Sequence, residues 1–320
     1  MPHQPKADEL ERAAHAVRSG ELVAFPTETV YGLGADALNA RACAKIFEAK
    51  NRPYFDPLIV HVASFEEACQ LWSKLDPRAA QLAKHFWPGP LTIVLLKAVK
   101  IPDLVTAGLA TVAVRVPAHP VALELLKHAQ RPIAAPSANP FGYISPTTAE
   151  HVRTQLGAQV PVILDGGPCV VGVESTILDL SAPQARLLRP GGVPVEALEA
   201  LIGPVVLAEE ENRPEAPGQL PSHYAPRAKL ILIDDAQLCA EKVSRRVGLL
   251  AFKDASKARG YASVEVLSKS GDLAEAAANL FAALRRLDAA GLEEIHAQAV
   301  PETGLGRAIM NRLKKAAGPR

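Results

Sequence analysis

From residue 22 to residue 189, apolar positions fall in short, β-branched runs separated by stretches with helical spacing. The runs LVAF (22–25), PLIVHV (57–62), LTIVLL (91–96), TVAVRV (111–116), PIAA (132–135), PVILD (161–165), STILDL (175–180) and ARLLR (185–189) predict strands. Helix starts are written between several of them. Ser64 with Glu67 predicts a capping box for FEEACQLW, and Asp76-Pro77 and Ser145-Pro146 each pair an N-cap with proline at the first helical position. Strands alternating with helices predict an α/β domain.

The pattern breaks at 208–227, AEEENRPEAPGQLPSHYAPR. Pro214, Pro217, Pro221 and Pro226, three consecutive glutamates and the loss of apolar periodicity predict a linker. Apolar runs resume with KLILIDD (229–235) and VGLLAF (247–252), followed by an amphipathic stretch over 272–290. That rhythm predicts a second, smaller, Rossmann-like three-layer α/β domain. The expected boundaries are 8–205 for the first domain, 206–228 for the linker and 229–320 for the second domain. GLGR near the C-terminus is too short to count as a nucleotide fingerprint.

Composition changes the picture in two ways. A chain of 320 residues that is 48% hydrophobic has the material for two cores. With 35 basic against 34 acidic residues, the net charge of +1 provides no general attraction to nucleic acid or an anionic membrane, so any anion site must be local. Cys43, Cys69, Cys169 and Cys239 show no CxxC or Cys/His spacing, and are read as small buried residues rather than zinc ligands or disulfides. The N-terminus lacks a charged-then-apolar leader pattern and no run is long enough to span a bilayer, so the expected location is the cytoplasm.

Candidate chemistry sits at strand ends. Lys50 and Arg52 in EAKNRPYFDP project together if the segment is extended, and are either a solvated basic turn or a pair of cations for a polyanion such as a triphosphate. Thr27, Glu28, Thr29 and Tyr31 follow the strand LVAF, and Gly32 and Gly34 permit a tight turn or a close backbone approach to a ligand. Arg115, alternating with valines, either snorkels at an edge or meets a carboxylate or phosphate in a cleft. Ser137 and Asn139 lie on a proline-bounded loop, Ser175 and Thr176 open a strand, and Arg189 precedes a Pro-Gly-Gly turn. His61 is either a pocket residue or a core histidine, while His85, His119, His128 and His151 read as surface or cap residues. No phosphate-cradling GxxxxGK[ST] loop, kinase signature or GxSxG elbow is present, so nucleotide binding would use dispersed strand-end residues.

Taken in order, PTETVYGLG, KNRP with PLIVH, TVAVRVP, APSAN, ESTI and RPGG resemble the YrdC-type L-threonylcarbamoyl-AMP synthases over residues 8 to 205, and HYAP at 223–226 resembles the long, two-domain form. The resemblance implies a twisted mixed sheet with helices around a large concave cavity, and synthesis of threonylcarbamoyl-AMP from L-threonine, bicarbonate and ATP with release of pyrophosphate. It implies a threonine pocket from Thr27, His61, Arg115, Ala135 and Ser175. It implies ATP held by Lys50 and Arg52 at the phosphates, with Thr111, Ser137, Asn139 and Arg189 around the nucleotide and Tyr224 reaching in from the linker as part of a lid. Lys50 and Arg52 are then the catalytic pair, stabilising charge together with Mg2+ carried by ATP. The family pattern has asparagine before Pro57, where this chain has Asp56, a carboxylate that would repel phosphate unless a metal bridges it. The implied downstream partner is a threonylcarbamoyl transferase complex that modifies the adenosine beside the tRNA anticodon, without stable tRNA binding by this chain. Two rivals stand beside this reading. A non-catalytic RNA-binding module of the same fold requires a broad basic patch, and a carbamoyl-phosphate enzyme would carry a zinc finger that this chain lacks.

Overall fold

The computed structural model describes residues 5–208, 214–220, 222–234, 246–256 and 258–319. In the first domain the chain runs α1 (Ala7–Arg18), β1 (Val23–Phe25), β2 (Gly32–Asp36), α2 (Ala40–Lys50), β3 (Ile59–His61), α3 (Phe65–Cys69), α4 (Pro77–Phe86), β4 (Leu91–Leu96) and β5 (Thr111–Arg115). It continues through α5 (Pro120–Ala129), β6 (Ile133–Ala134), α6 (Ala149–Leu156), β7 (Val162–Ile163), β8 (Thr176–Asp179), β9 (Ala185–Arg189), α7 (Val195–Ile202) and β10 (Val205–Leu207). Its strands form a mixed sheet in the order β10-β9-β8-β4-β5-β3-β6-β2-β1-β7. The parallel pairing of β3 with β5 sets His61 beside Arg115, and β4 alongside β8 sets Leu91 beside Thr176. The ends of non-consecutive strands thus converge on one region.

The second domain holds β11 (Lys229–Ile233), β12 (Val247–Ala251), β13 (Ser263–Val266), α8 (Leu273–Ala289), β14 (Glu294–Gln298) and α9 (Gly306–Ala316). Its sheet is all parallel, in the order β11-β14-β12-β13. Both faces of such a sheet need cover. Leu280, Phe281, Leu284 and Leu287 of α8 and Ile309 and Leu313 of α9 lie in one core with Leu250 and Ile295. Val30, Ile144 and Val173 of the first domain, and Tyr224 of the linker, join that same core. The two domains are therefore packed through apolar side chains as well as tethered.

Several local expectations needed correction. Gly32 and Gly34 do not make a turn: they lie inside β2, where the sequence analysis placed no strand. A Cβ on Gly34 would come within 2.6 Å of Ile133 and 2.7 Å of Phe25, so the glycine serves close approach. Strands β10, β13 and β14 and helix α9 were likewise not anticipated. Ser145-Pro146 starts no helix, because α6 is capped by Thr148 and the Ser145 hydroxyl donates to Glu174. Ser64 does cap α3, but Glu67 accepts from the Ala63 N–H instead of closing the box, and α3 stops at Cys69. Asp76 caps α4 as expected, with Pro77 at its start. Cys43 and Cys169 are buried and Cys69 is half-exposed. Cys239, Pro221 and the glutamates 209–211 lie outside the described residues.

Candidate functional site

Lys50 and Arg52 owe their placement to the end of a helix. Asn39 caps α2 by accepting from the N–H groups of Arg41 and Ala42, and Lys50 closes its last turn, where a cation suits the helix dipole. Asn51 then adopts a left-handed conformation with φ 50°, a conformation asparagine tolerates better than most residues. The segment is therefore not extended as the sequence analysis supposed, although both side chains still turn inward, with exposures of 1% and 6%. The Lys50 ammonium donates to the carbonyls of Ser137 and Asn139. Burial, then the neighbouring Arg52 charge, pushes the Lys50 pKa well below the usual lysine range, with Asp56 opposing. Arg52 donates to the carbonyls of Asp56 and Pro57 and pairs with the Asp56 carboxylate at 2.9 Å.

Arg115 ends β5 and is 3% exposed, so it is a cleft arginine rather than an edge one. Its guanidinium donates to the Gly89 carbonyl and the Thr29 hydroxyl and lies 2.6 Å from a Glu28 oxygen. Thr27 organises the turn beneath it: its hydroxyl donates to the Val30 carbonyl and accepts from the Thr29 and Val30 N–H groups. His61 packs edge-on to Phe25, and its Nδ1 has no partner among the described residues. Burial, helped by Arg115, pulls its pKa down to about 3, so the ring is neutral at ordinary pH. Ser175 lies within reach of the Thr92 hydroxyl, and Arg189 donates to both the Ser175 carbonyl and its hydroxyl.

These groups surround one cavity. Its wall includes Thr27, His61, Arg115, Ala135 and Ser175 of the expected threonine set, and Arg52, Ser137, Arg189 and Tyr224 of the expected nucleotide set. Lys50, Asn139 and Thr111 are not on that wall. Lys50 and Asn139 stand behind it, joined through the Asn139 carbonyl. Thr111 shares a face of β5 with Ala113 and Arg115 but lies at the far end of the strand, and Ala113 packs there against Ala216 of the linker. Pro217, Gly218, His223 and Tyr224 of the linker complete the wall. Only about 50 Å³ remains inside, room for a few waters, whereas a void of about 150 Å³ is needed even for a benzene-sized ligand. With the linker in this position the enclosed space is too small for a nucleotide.

Three buried acids answer the cations: Glu28 faces Arg115, Asp56 faces Arg52, and Glu174 faces Arg312 of α9 at 2.8 Å. Glu174, His223 and Arg312 were not foreseen. Glu174 could have been suspected as the neighbour of Ser175, and Arg312 as an arginine at a core position of the apolar stripe Ala308, Ile309, Leu313 and Ala316. Among the described residues no group of three or more His, Cys, Asp or Glu side chains forms a metal site, and no helix is long and apolar enough to cross a membrane.

The family model for Sua5, YciO and YrdC proteins, described as "Telomere recombination", matches residues 15–191. The model described as the threonylcarbamoyl-AMP synthase C-terminal domain matches residues 193–318. A threonylcarbamoyl-AMP synthase of Pyrococcus abyssi is 47% identical over 96% of this chain and 94% of its own length. One from Bacillus subtilis is 44% identical, covering 98% and 94%. The structure of P. abyssi Sua5 complexed with L-threonine superposes with a TM-score of 0.92 at 44% identity, covering 98% of this chain and 96% of that one.

Proposed function

The chain belongs to the Sua5, YciO and YrdC family in its two-domain form, and from that premise we propose that it is an L-threonylcarbamoyladenylate synthase, a nucleotidyltransferase. The observation that carries the reading is the cavity itself, where a carboxylate-binding arginine with hydroxyl partners adjoins buried cations suited to phosphates.

L-Threonine enters with its carboxylate at Arg115, competing with Glu28 for the guanidinium, and its hydroxyl and amine lie among Thr27, Ser175 and the neutral His61. The deprotonated amine adds to the carbon of bicarbonate, and loss of water leaves an N-carboxylate. An oxygen of that carboxylate attacks the α-phosphorus of ATP, the bond to the β-phosphate oxygen breaks, and pyrophosphate departs to leave threonylcarbamoyl-AMP. Arg52 and Arg189, with Lys50 behind them, offset the charge that builds on the phosphates. Mg2+ would come with ATP and supply further positive charge at the phosphates. Asp56, the carboxylate beside Arg52, is already engaged by it.

ATP needs more room than the closed cavity offers, so the linker acts as a lid that lifts for the nucleotide and returns over it. The product passes to a cytoplasmic threonylcarbamoyl transferase complex that modifies tRNA, without stable tRNA binding here. An RNA-binding module would need its cations outside, whereas Lys50, Arg52, Arg115 and Arg189 are at most 6% exposed.

The test is pyrophosphate release from ATP and Mg2+ with L-threonine or bicarbonate left out in turn. Release that requires both supports the synthase. Absence of release in every combination, with no stabilisation by threonine, overturns it.

A further inference from the structure

We propose that Arg312, on the last helix of the C-terminal domain, is a positioning residue for the reaction, orienting Glu174-Ser175 and holding Tyr224 of the linker over the cavity. The proposal rests on the synthase reading and gives the C-terminal domain a part in it.

Arg312 is wholly buried at the junction of three pieces of chain. Its Nε donates to the Glu174 carboxylate at 2.8 Å and its Nη1 to the Pro190 carbonyl at 2.7 Å. Its guanidinium carbon lies 5.2 Å from the centre of the Tyr224 ring, and Phe281 of α8 stacks on that ring at 5.7 Å. Tyr224 is thus gripped by two side chains of the C-terminal domain. A third, Lys315, donates to the carbonyls of Gln219 and Leu220, and its own carbonyl accepts from the His223 N–H. All three contacts bear on the linker stretch that closes the cavity.

The other end of the network reaches substrate-binding groups. Glu174 accepts from Ser145 at 2.5 Å with its second oxygen, so both oxygens are engaged, and the next residue is Ser175 on the cavity wall. A planar fork with several fixed donors sets direction, which a lysine point charge does not. Replacing such a pair by apolar groups is often neutral for stability, so its distinguishing effect is orientation.

The test uses the full-length chain with Arg312→Lys and Arg312→Met. Two quantities are measured: threonine-dependent pyrophosphate release at a temperature where each protein is folded, and hydrogen exchange of linker amides 214–227. The expected results are a fall in kcat/KM for threonine of about tenfold or more in both variants, melting temperature largely restored in Arg312→Lys but activity not, and linker exchange about tenfold faster in Arg312→Met with β4 and β5 unchanged. Activity that follows only the folded fraction, or full rescue by lysine, overturns the proposal, as does unaltered linker exchange. If Arg312→Met does not fold, Arg312→Lys decides through activity against melting temperature. If the wild-type chain releases no pyrophosphate, the synthase reading fails with it, and linker exchange still decides whether Arg312 holds the linker.

Discussion

Arg52 and Asp56 form an ion pair of 2.9 Å in which the two side chains are 3% and 0% exposed. Burial holds the Asp56 carboxyl above its usual range against the opposing fields of Arg52 and Lys50. The pair places an acid beside the proposed phosphate site: Asp56 neutralises Arg52, and the triphosphate of ATP would compete with it for the guanidinium.

Asp56→Asn removes the charge and leaves Arg52 buried without its partner, which costs about 3 kcal/mol. Stability without ligand is expected to fall by that amount, and ATP is expected to stabilise the variant more than the wild type. Thermal unfolding with and without ATP and Mg2+ measures both. Equal stabilisation by ATP would mean that Asp56 and phosphate do not compete.

Lys50→Ala and Arg52→Ala are each expected to lower kcat/KM for pyrophosphate release by ~100-fold or more: Arg52→Ala removes a fixed charge from the cavity wall, and Lys50→Ala removes the donor that holds the Ser137 and Asn139 carbonyls behind it. Ser137→Ala, which removes one neutral hydroxyl, should cost about tenfold at most. Steady-state kinetics on the three variants tests the ranking. Near wild-type turnover in Arg52→Ala would sink the phosphate assignment.

His61 is buried neutral with its pKa lowered to about 3. A histidine whose folded pKa lies below its unfolded value leaves the unfolded chain holding more protons between those two values, so stability is present above about pH 6.5 and is lost as pH falls. Between neutral pH and pH 5 the loss assigned to His61 is about 2 kcal/mol. Urea unfolding at pH 7.5 and pH 5.0 should show a drop in the wild type to which His119, His151 and His223 also contribute, and a drop smaller by about 2 kcal/mol in His61→Asn.

Gly218 has φ +82°, and a Cβ there would lie 2.5 Å from the Tyr224 hydroxyl. Gly218→Ala is expected to cost about 1–2 kcal/mol from the left-handed backbone, with the hydroxyl clash in addition. The Tyr224 hydroxyl has no hydrogen-bond partner among the described residues, so Tyr224→Phe should change stability little. In a double-mutant cycle the double variant should be less destabilised than the sum of the singles by about 1 kcal/mol. Strict additivity would place the linker elsewhere in solution.

Much of the first domain was legible because its strands are written as apolar runs. ARLLR and LTIVLL match β9 and β4 residue for residue. GLGAD was not, since a strand with two glycines carries a turn signal, and only the approach of Phe25 and Ile133 shows why side chains are absent there. The Lys50 and Arg52 pair was found for an incomplete reason. Their spacing suggested an extended segment, while a left-handed Asn51 at a helix end is what turns both inward.

The sequence by itself determined the α/β class and the residue types from which a family resemblance and a candidate site could be drawn, because strand period, helix caps and strand-end polar motifs are local properties. Tertiary structure alone decided that Glu28, Asp56 and Glu174 pair with Arg115, Arg52 and Arg312, that the linker walls the cavity, and that Arg312, more than a hundred residues from Glu174, lies against it. Those relations depend on which distant segments meet in a low-dielectric interior, where each buried charge needs a partner that its neighbours in sequence do not supply.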